Sequence, residues 1–258
     1  MSDLPFWHID AFAEAPFAGN PAGVIVLDEW RDEAELRRIA IEINLPATAF
    51  AVPAEGESDY EIRWFSPRGE IGLCGHGTLA AGYALIGDRD MVCFATRGAG
   101  LVRVTRNGDM LSLSLPIIAA TPRYLPDAVD VIGGTPIETL WHDRGYGILR
   151  YADEAEVRAL RPDFAALARM GDVQFSATAA GEATDIVSRV FTARGGEDAV
   201  TGSAHSVLTP YWAAQLGRNS FTAYQASSRG GHLYCRLNGD HAVLSGHCVM
   251  VIVGRIAF

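Results

Sequence analysis

The chain repeats itself. DYEIRWFSPRGEIGLCGHG, from Asp59 to Gly77, returns as DIVSRVFTARGGEDAVTGSA, from Asp185 to Ala204. Asp59, Arg63, Phe65, Arg68 and Gly69 meet Asp185, Arg189, Phe191, Arg194 and Gly195 at a constant spacing of 126 residues. One extra glycine, Gly196, moves the spacing to 127, at which Glu70 meets Glu197 and Gly75 meets Gly202. The agreement continues in order on both sides, DEAELR (Asp32 to Arg37) with DEAEVR (Asp153 to Arg158) and Asn107-Gly108-Asp109 with Asn238-Gly239-Asp240. An ordered set of matches of this kind means two copies of one folding unit. A chain of 258 residues has room for both. The expected organisation is therefore two pseudo-symmetric domains, 1–118 and 119–258, facing each other across a pseudo-two-fold; whether the last strand packs back on the first domain is left open.

Each half predicts the same elements. Asp32 with Glu35 three residues on opens a helix whose Leu36, Ile39, Ala40 and Ile43 fall at helical spacing. Its counterpart starts at Asp153 and is interrupted by Pro162. Two strand segments follow, TAFAVP and YEIRWF in one half, VQFSAT and DIVSRVF in the other. A glycine turn then opens a second, more apolar helix. One runs from Gly75 or His76 to Gly87 with Leu79, Gly82, Tyr83 and Ile86 on one face, the other from Gly202 or Ser203 to Gly217 with Val207, Pro210, Tyr211 and Ala214 on one face. Hairpins centred on Asn107-Gly108 and Asn238-Gly239 close each half. The fold class is α+β, each domain a mainly antiparallel sheet wrapped around a central helix.

Composition narrows the partners. The formal net charge is −10, with 49% apolar and 20% charged residues, and no run of basic residues suggests nucleic acid or an anionic membrane. No apolar stretch reaches the roughly 20 residues of a spanning helix, and the N-terminus lacks a basic region followed by an apolar one. The expectation is a cytoplasmic protein acting on a small molecule. Cys74, Cys93, Cys235 and Cys248 show neither CxxC spacing nor the density of a disulfide scaffold; no metal site is expected.

The chemistry is expected where each glycine turn opens its central helix, because a helix start offers unpaired N–H groups and a partial positive charge suited to a carboxylate. Two such starts brought face to face would form one cleft between the domains. Cys74-Gly75-His76-Gly77 corresponds to Thr201-Gly202-Ser203-Ala204, and Ile71 to Asp198, so the scaffold is symmetric and the chemistry is not. His76 and Asp198 are the acid/base candidates. Gly75, Gly202 and Ser203 are the substrate-binding candidates, the glycines through close backbone approach and the serine through its hydroxyl. The bland alternatives are a capping histidine, an inert buried Cys74 and an Asp198 that merely caps the following helix. Cys74 with His76 alone is a weak metal signal.

The motifs IDAFAEAPFAGNPAGVIVL, NLPATAF (Asn44 to Phe50), LCGHGTLA (Leu73 to Ala80), EDAVTGSAH (Glu197 to His205) and QASSRGG (Gln225 to Gly231), in this order over nearly the whole chain, resemble the PhzF-like phenazine-biosynthesis family. The resemblance implies a diaminopimelate-epimerase-like fold, a homodimer, no cofactor, and isomerisation by moving a proton between carbons of a small cyclic amino acid, in a biosynthetic process. It carries the family's histidine onto His76, its glycine onto Gly75, its aspartate onto Asp198 and its serine onto Ser203. The family's main proton-shuttling carboxylate falls on Ala47, which accepts no proton. That departure implies an altered reaction, a binding protein without turnover, or an engineered substitution. CGHGT (Cys74 to Thr78) is also similar to the proline-racemase motif, but a two-thiol racemase needs cysteine at Thr201. A one-thiol dehydratase or epimerase using Cys74 with Thr201 is the remaining rival.

Overall fold

The structure, a computed structural model, describes residues 3–258 and forms two compact units. The first takes the chain up to Ser114 and again from Ser245 to Phe258; the second is Leu115–Leu244.

The first unit begins with the antiparallel pair β1 (Asp3–Ala11) and β2 (Asn20–Val26). Helix α1 (Glu33–Ile43) starts as its sequence dictates: the Asp32 carboxylate accepts from the Glu35 amide at 2.7 Å, and Leu36, Ile39 and Ala40 are buried. It returns the chain to β3 (Ala47–Pro53), parallel to β2. β4 (Tyr60–Ser66) runs antiparallel to β3 and folds over into the short β5 (Gly69–Ile71). Helix α2 (Gly75–Leu85) then crosses to β6 (Met91–Thr96), parallel to β4. The antiparallel strands β7 (Leu101–Asn107) and β8 (Met110–Pro116) follow.

α1 and α2 lie in different surroundings. α1 is amphipathic and covers Leu4, Ile25, Leu27, Phe50 and Phe65. α2 packs on β1, β2, β3 and β7, and every residue from His76 to Gly82 is buried. It is the central helix that the sequence predicts. Its close seat on β7 depends on Gly82, where an added Cβ would stand 2.6 Å from Val104.

The second unit repeats the order. After β9 (Thr121–Pro122) and α3 (Pro126–Ile132) come the antiparallel β10 (Glu138–His142) and β11 (Tyr146–Arg150). α4 (Glu154–Ala159) is capped by Asp153, stops before Pro162 and is followed by α5 (Phe164–Leu167). β12 (Gln174–Ala180) is parallel to β11, and β13 (Ile186–Thr192) is antiparallel to β12 and paired with β14 (Gly196–Asp198). α6 (Gly202–Leu216) crosses to β15 (Ser220–Gln225), parallel to β13, and β16 (Gly231–Asn238) and β17 (His241–Gly246) end the unit. The closing strand, β18 (Cys248–Ala257), pairs antiparallel with β1 in the first unit.

Three sequence readings are refined. The sheets are mainly antiparallel, yet each unit has two parallel pairs, each bridged by a helix because parallel neighbours need a crossover. The first hairpin turns on Gly108-Asp109 rather than Asn107-Gly108: Asn107 pairs with Met110, and Gly108 takes the positive φ of +64°. On α6, Val207 is buried while Ala214 is exposed. The helix is covered on every side over residues 204–209, so a single apolar face does not describe it.

The duplication extends to side chains. Arg63 grips Glu70 through Nε and Nη2, both at 2.7 Å, and Arg189 grips Glu197 the same way at 2.7 and 2.9 Å. Each guanidinium lies over a phenylalanine ring, Phe65 at 4.9 Å and Phe191 at 5.0 Å. Asp59 binds Arg89 and the Cys93 amide; Asp185 binds Arg218 and the Thr222 amide.

Candidate functional site

In the first unit the site is assembled at the start of α2. Cys74 is the residue before the helix and makes no side-chain cap, leaving the first-turn amides uncapped by a side chain. Thr78 instead donates its hydroxyl to the Cys74 carbonyl at 2.6 Å, fixing the turn from inside. His76 is 9% exposed. Its Nδ1 lies 3.3 Å from the Asn20 amide nitrogen and 3.6 Å from Cys74 Sγ.

Asn20 carries no site signal of its own in the sequence, and the fold explains its position. Residues 12–19 form a strained loop in which Phe12 and Phe17 have φ of 59° and 70°. The buried Asp10 accepts from the Phe17 amide at 2.9 Å. Gly19 ends the loop at φ +64°, where a Cβ would stand 2.3 Å from the Ala11 carbonyl oxygen. The loop thus delivers Asn20, fully buried, to the first position of β2.

Ala47 opens β3 and pairs with Ala22, so it enters at the same end of the sheet as Asn20. It is fully buried. A methyl group here supplies neither donor nor acceptor.

In the second unit the matching turn is held more tightly. Asp198 ends β14; its carboxylate accepts from the Thr201 hydroxyl at 2.6 Å and from the Ala199 amide at 3.0 Å. Thr201, not Asp198, is the cap residue of α6, and no side chain caps that helix, so the bland capping role for Asp198 does not hold. Gln225, fully buried, accepts from the Thr201 amide at 2.9 Å and donates to the Asp198 carbonyl at 2.8 Å. Ser227 donates to the Ala199 carbonyl at 2.8 Å. His205 occupies the place of Thr78 and donates Nδ1–H to the Thr201 carbonyl at 2.8 Å. Complete burial presses its pKa down to about 4, against the opposing hydrogen bond to Thr201, so the ring is neutral.

Ser203 lies in the first turn of α6 and donates to the Gln174 side-chain oxygen at 3.1 Å. Strand register makes Gln174 the counterpart of Ala47. Thr48 opposes Phe65 in one sheet and Phe175 opposes Phe191 in the other, placing Ala47 and Gln174 one residue before matched positions. The Gln174 Nε2 is buried without a hydrogen-bond partner among the described residues. Aligning VQFSAT with TAFAVP on Phe175 and Phe50 sets Gln174 on Ala49; the strand ladders set it on Ala47 instead.

The structure therefore places His76 with Cys74 and Asn20 in one unit, and Asp198 with Thr201, Gln225 and Ser203 in the other. Gly75 and Gly202 are the first residues of their helices. Among the described residues no cluster of His, Cys, Asp and Glu suited to a metal ion occurs. A cavity of about 530 Å³ in the first unit is lined by Tyr83, Arg106, Asp109 and His247, toward the opposite end of α2 from His76.

Residues 9–254 match the model of the family described as phenazine biosynthesis-like protein. This chain belongs to that family. It is 44% identical over 264 residues to an uncharacterized isomerase of Pseudomonas aeruginosa, covering 98% of each chain. The crystal structure of a PhzF-family phenazine biosynthesis protein of Enterococcus faecalis superposes with a TM-score of 0.93 at 37% identity, covering 100% of both chains. A hydroxyproline epimerase from Agrobacterium vitis shares the fold at a TM-score of 0.65 and 12% identity, over 98% of this chain and 92% of its own. The architecture is thus the epimerase-like α+β fold that the motifs imply. Among the described residues no helix is long and apolar enough to cross a membrane.

Proposed function

We propose that this family member is a cofactor-independent isomerase that moves a proton on a small, cyclic, carboxylate-bearing metabolite. The supporting observation is the pair of uncapped helix starts, one carrying an imidazole with its Nδ1 occupied and the other a carboxylate beside a serine. The isomerase naming of a 44% identical relative agrees with it. In this reading each helix start offers backbone amides to an anionic group, at Gly75 beside His76 and at Gly202 beside Ser203, and His76 and Asp198 are the groups that anchor or transfer a proton.

Ala47 bears on how much turnover this site performs. A missing acid/base group typically costs about 10²–10⁴-fold. A binding protein without turnover is the second reading, favoured by the buried methyl of Ala47 and by the amide, rather than carboxylate, at Gln174.

Solvent-deuterium incorporation into cyclic amino- and hydroxy-carboxylic acids separates the two readings. Exchange with a bound ligand, lost in His76→Gln and Asp198→Asn, supports the isomerase. Binding without any exchange overturns it. Ala47→Glu is expected to raise exchange by about 10²-fold or more if the surrounding site is intact.

A further inference from the structure

The two units share one strand order. β1 pairs antiparallel with β2, which lies parallel to β3; β10 pairs antiparallel with β11, which lies parallel to β12. β1 therefore matches β10, and the strand on its outer side, β18, matches β9, each antiparallel to its neighbour. The two outer strands are not alike. β9 is two residues long and ends in Pro122, and so short an outer strand carrying proline offers a further strand almost nothing to pair with. β18 is ten residues long and contains no proline, lysine, aspartate or glutamate.

β18 is also bare. Ile252, Val253, Gly254 and Arg255 are exposed in succession, and successive residues of a strand point to opposite faces, so both faces are uncovered there. Val253 is 67% exposed and Ile252 50%. On the strand behind them, Pro5 to His8 are half-buried. The ladder between β1 and β18 is bulged at Val251 and regular beyond it, from Ile252 opposite His8 to Ala257 opposite Asp3. The one charged residue of β18, Arg255, donates its Nε–H to the Asp3 carboxylate at 2.6 Å. Monomeric proteins blunt edges of this kind with charges, proline or very short strands. The second unit does so at β9, and the first leaves β18 long, apolar and locally neutral.

We infer that β18 is the contact with a second copy of this chain, the two strands pairing antiparallel, edge to edge, about a two-fold axis through Val253. With Val253 on the axis, Ile252 meets Gly254 and Met250 meets Ile256, so no charge meets a charge. Each Arg255 stands opposite Val251 of the other copy, and the two arginines lie about 13 Å apart along the strands, beyond the screening length. A strand of a different protein would be selected by side-chain pockets or by opposite charge, and this edge offers neither. Because β9 closes the matching edge of the second unit, the pairing ends at two chains instead of growing into a fibre. The contact does not rest on the proton transfer assigned to His76.

Sedimentation velocity of the full chain reads the result. Wild type is expected to sediment as a dimer at micromolar concentration. Val253→Lys, which sets two like charges against each other on the axis, is expected to weaken association at least about a hundredfold while the far-ultraviolet spectrum stays that of wild type. Tyr124→Lys, at an exposed position away from the edge, is expected to leave the dimer intact. The four native cysteines are buried. Val253→Cys is therefore expected to give a disulfide-linked pair under mild oxidant, because residues on the axis face each other at about 5 Å, and Tyr124→Cys is expected to give none. A monomeric wild type, a dimer that survives Val253→Lys, or a Val253→Cys chain that cross-links no better than Tyr124→Cys overturns the inference.

Discussion

The starts of α2 and α6 are copies of one device, and they differ in how firmly they are held. Around α6 the turn is tied by Gln225 and Ser227, and Val200 is buried. Around α2 the corresponding turn exposes Gly72 and Leu73, and Thr96, which strand register sets where Gln225 stands, donates its hydroxyl to the Gly100 carbonyl instead of bridging the turn. The framework behind both turns is unchanged: an arginine gripping a glutamate over a phenylalanine, an aspartate gripping an arginine, and a side chain at the fourth helical residue donating to the carbonyl of the cap residue. Duplication preserved the groups that hold the backbone and varied those of the proposed site. Scaffold and site are thus separable within a few residues of each other.

The largest expected break in this symmetry lies in the arginines. Arg189 also donates to the Val157, Arg158 and Leu160 carbonyls at the end of α4. Arg63 has a second carboxylate instead, Glu33, which is 65% exposed. Arg189→Met is expected to cost about 3–5 kcal/mol by urea denaturation, because it strands a carboxylate and three carbonyls. Arg63→Met is expected to cost measurably less; equal losses would show that the carbonyl contacts add nothing.

Next in size is acid sensitivity. His205 titrates near 4 in the folded protein and near its ordinary 6.5 when unfolded. Between those values the unfolded chain binds the proton and the native one does not, so stability falls as pH drops from about 6.5 to about 4, by about 3 kcal/mol in all. Thr78 performs the same carbonyl contact without titrating. His205→Thr is therefore expected to remove that share of the pH slope, seen as urea midpoints at pH 7 and pH 4.5 that converge relative to wild type.

The smallest effect concerns the bridge. Gln225→Thr copies the first unit into the second and is expected to cost about 1–3 kcal/mol, since the Thr201 amide and Asp198 carbonyl lose their partner. A larger amide-exchange rate at residues 199–203, with the rest of the unit unchanged, would place that loss in the turn.

Much of this was legible before any coordinates. The repeat predicts two like units, Asp32 and Asp153 mark their helix starts, and the glycines at 75 and 202 mark the two turns that carry the candidates His76, Asp198 and Ser203. Asn20, Gln174 and Gln225 were not reached. Each acts through a partner 24 to 56 residues away in sequence, and a composition or period carries no signal for a pairing of that kind.

The sequence by itself determined the elements and their duplication, because capping, periodicity and glycine turns are local and are written twice. Tertiary structure decided which of the two turns is bridged by a side chain from the neighbouring strand. Gln225 reaches the Asp198 carbonyl and the Thr201 amide while Thr96 turns to Gly100, because side-chain reach across a sheet depends on strand register, and register exists only once the strands have paired.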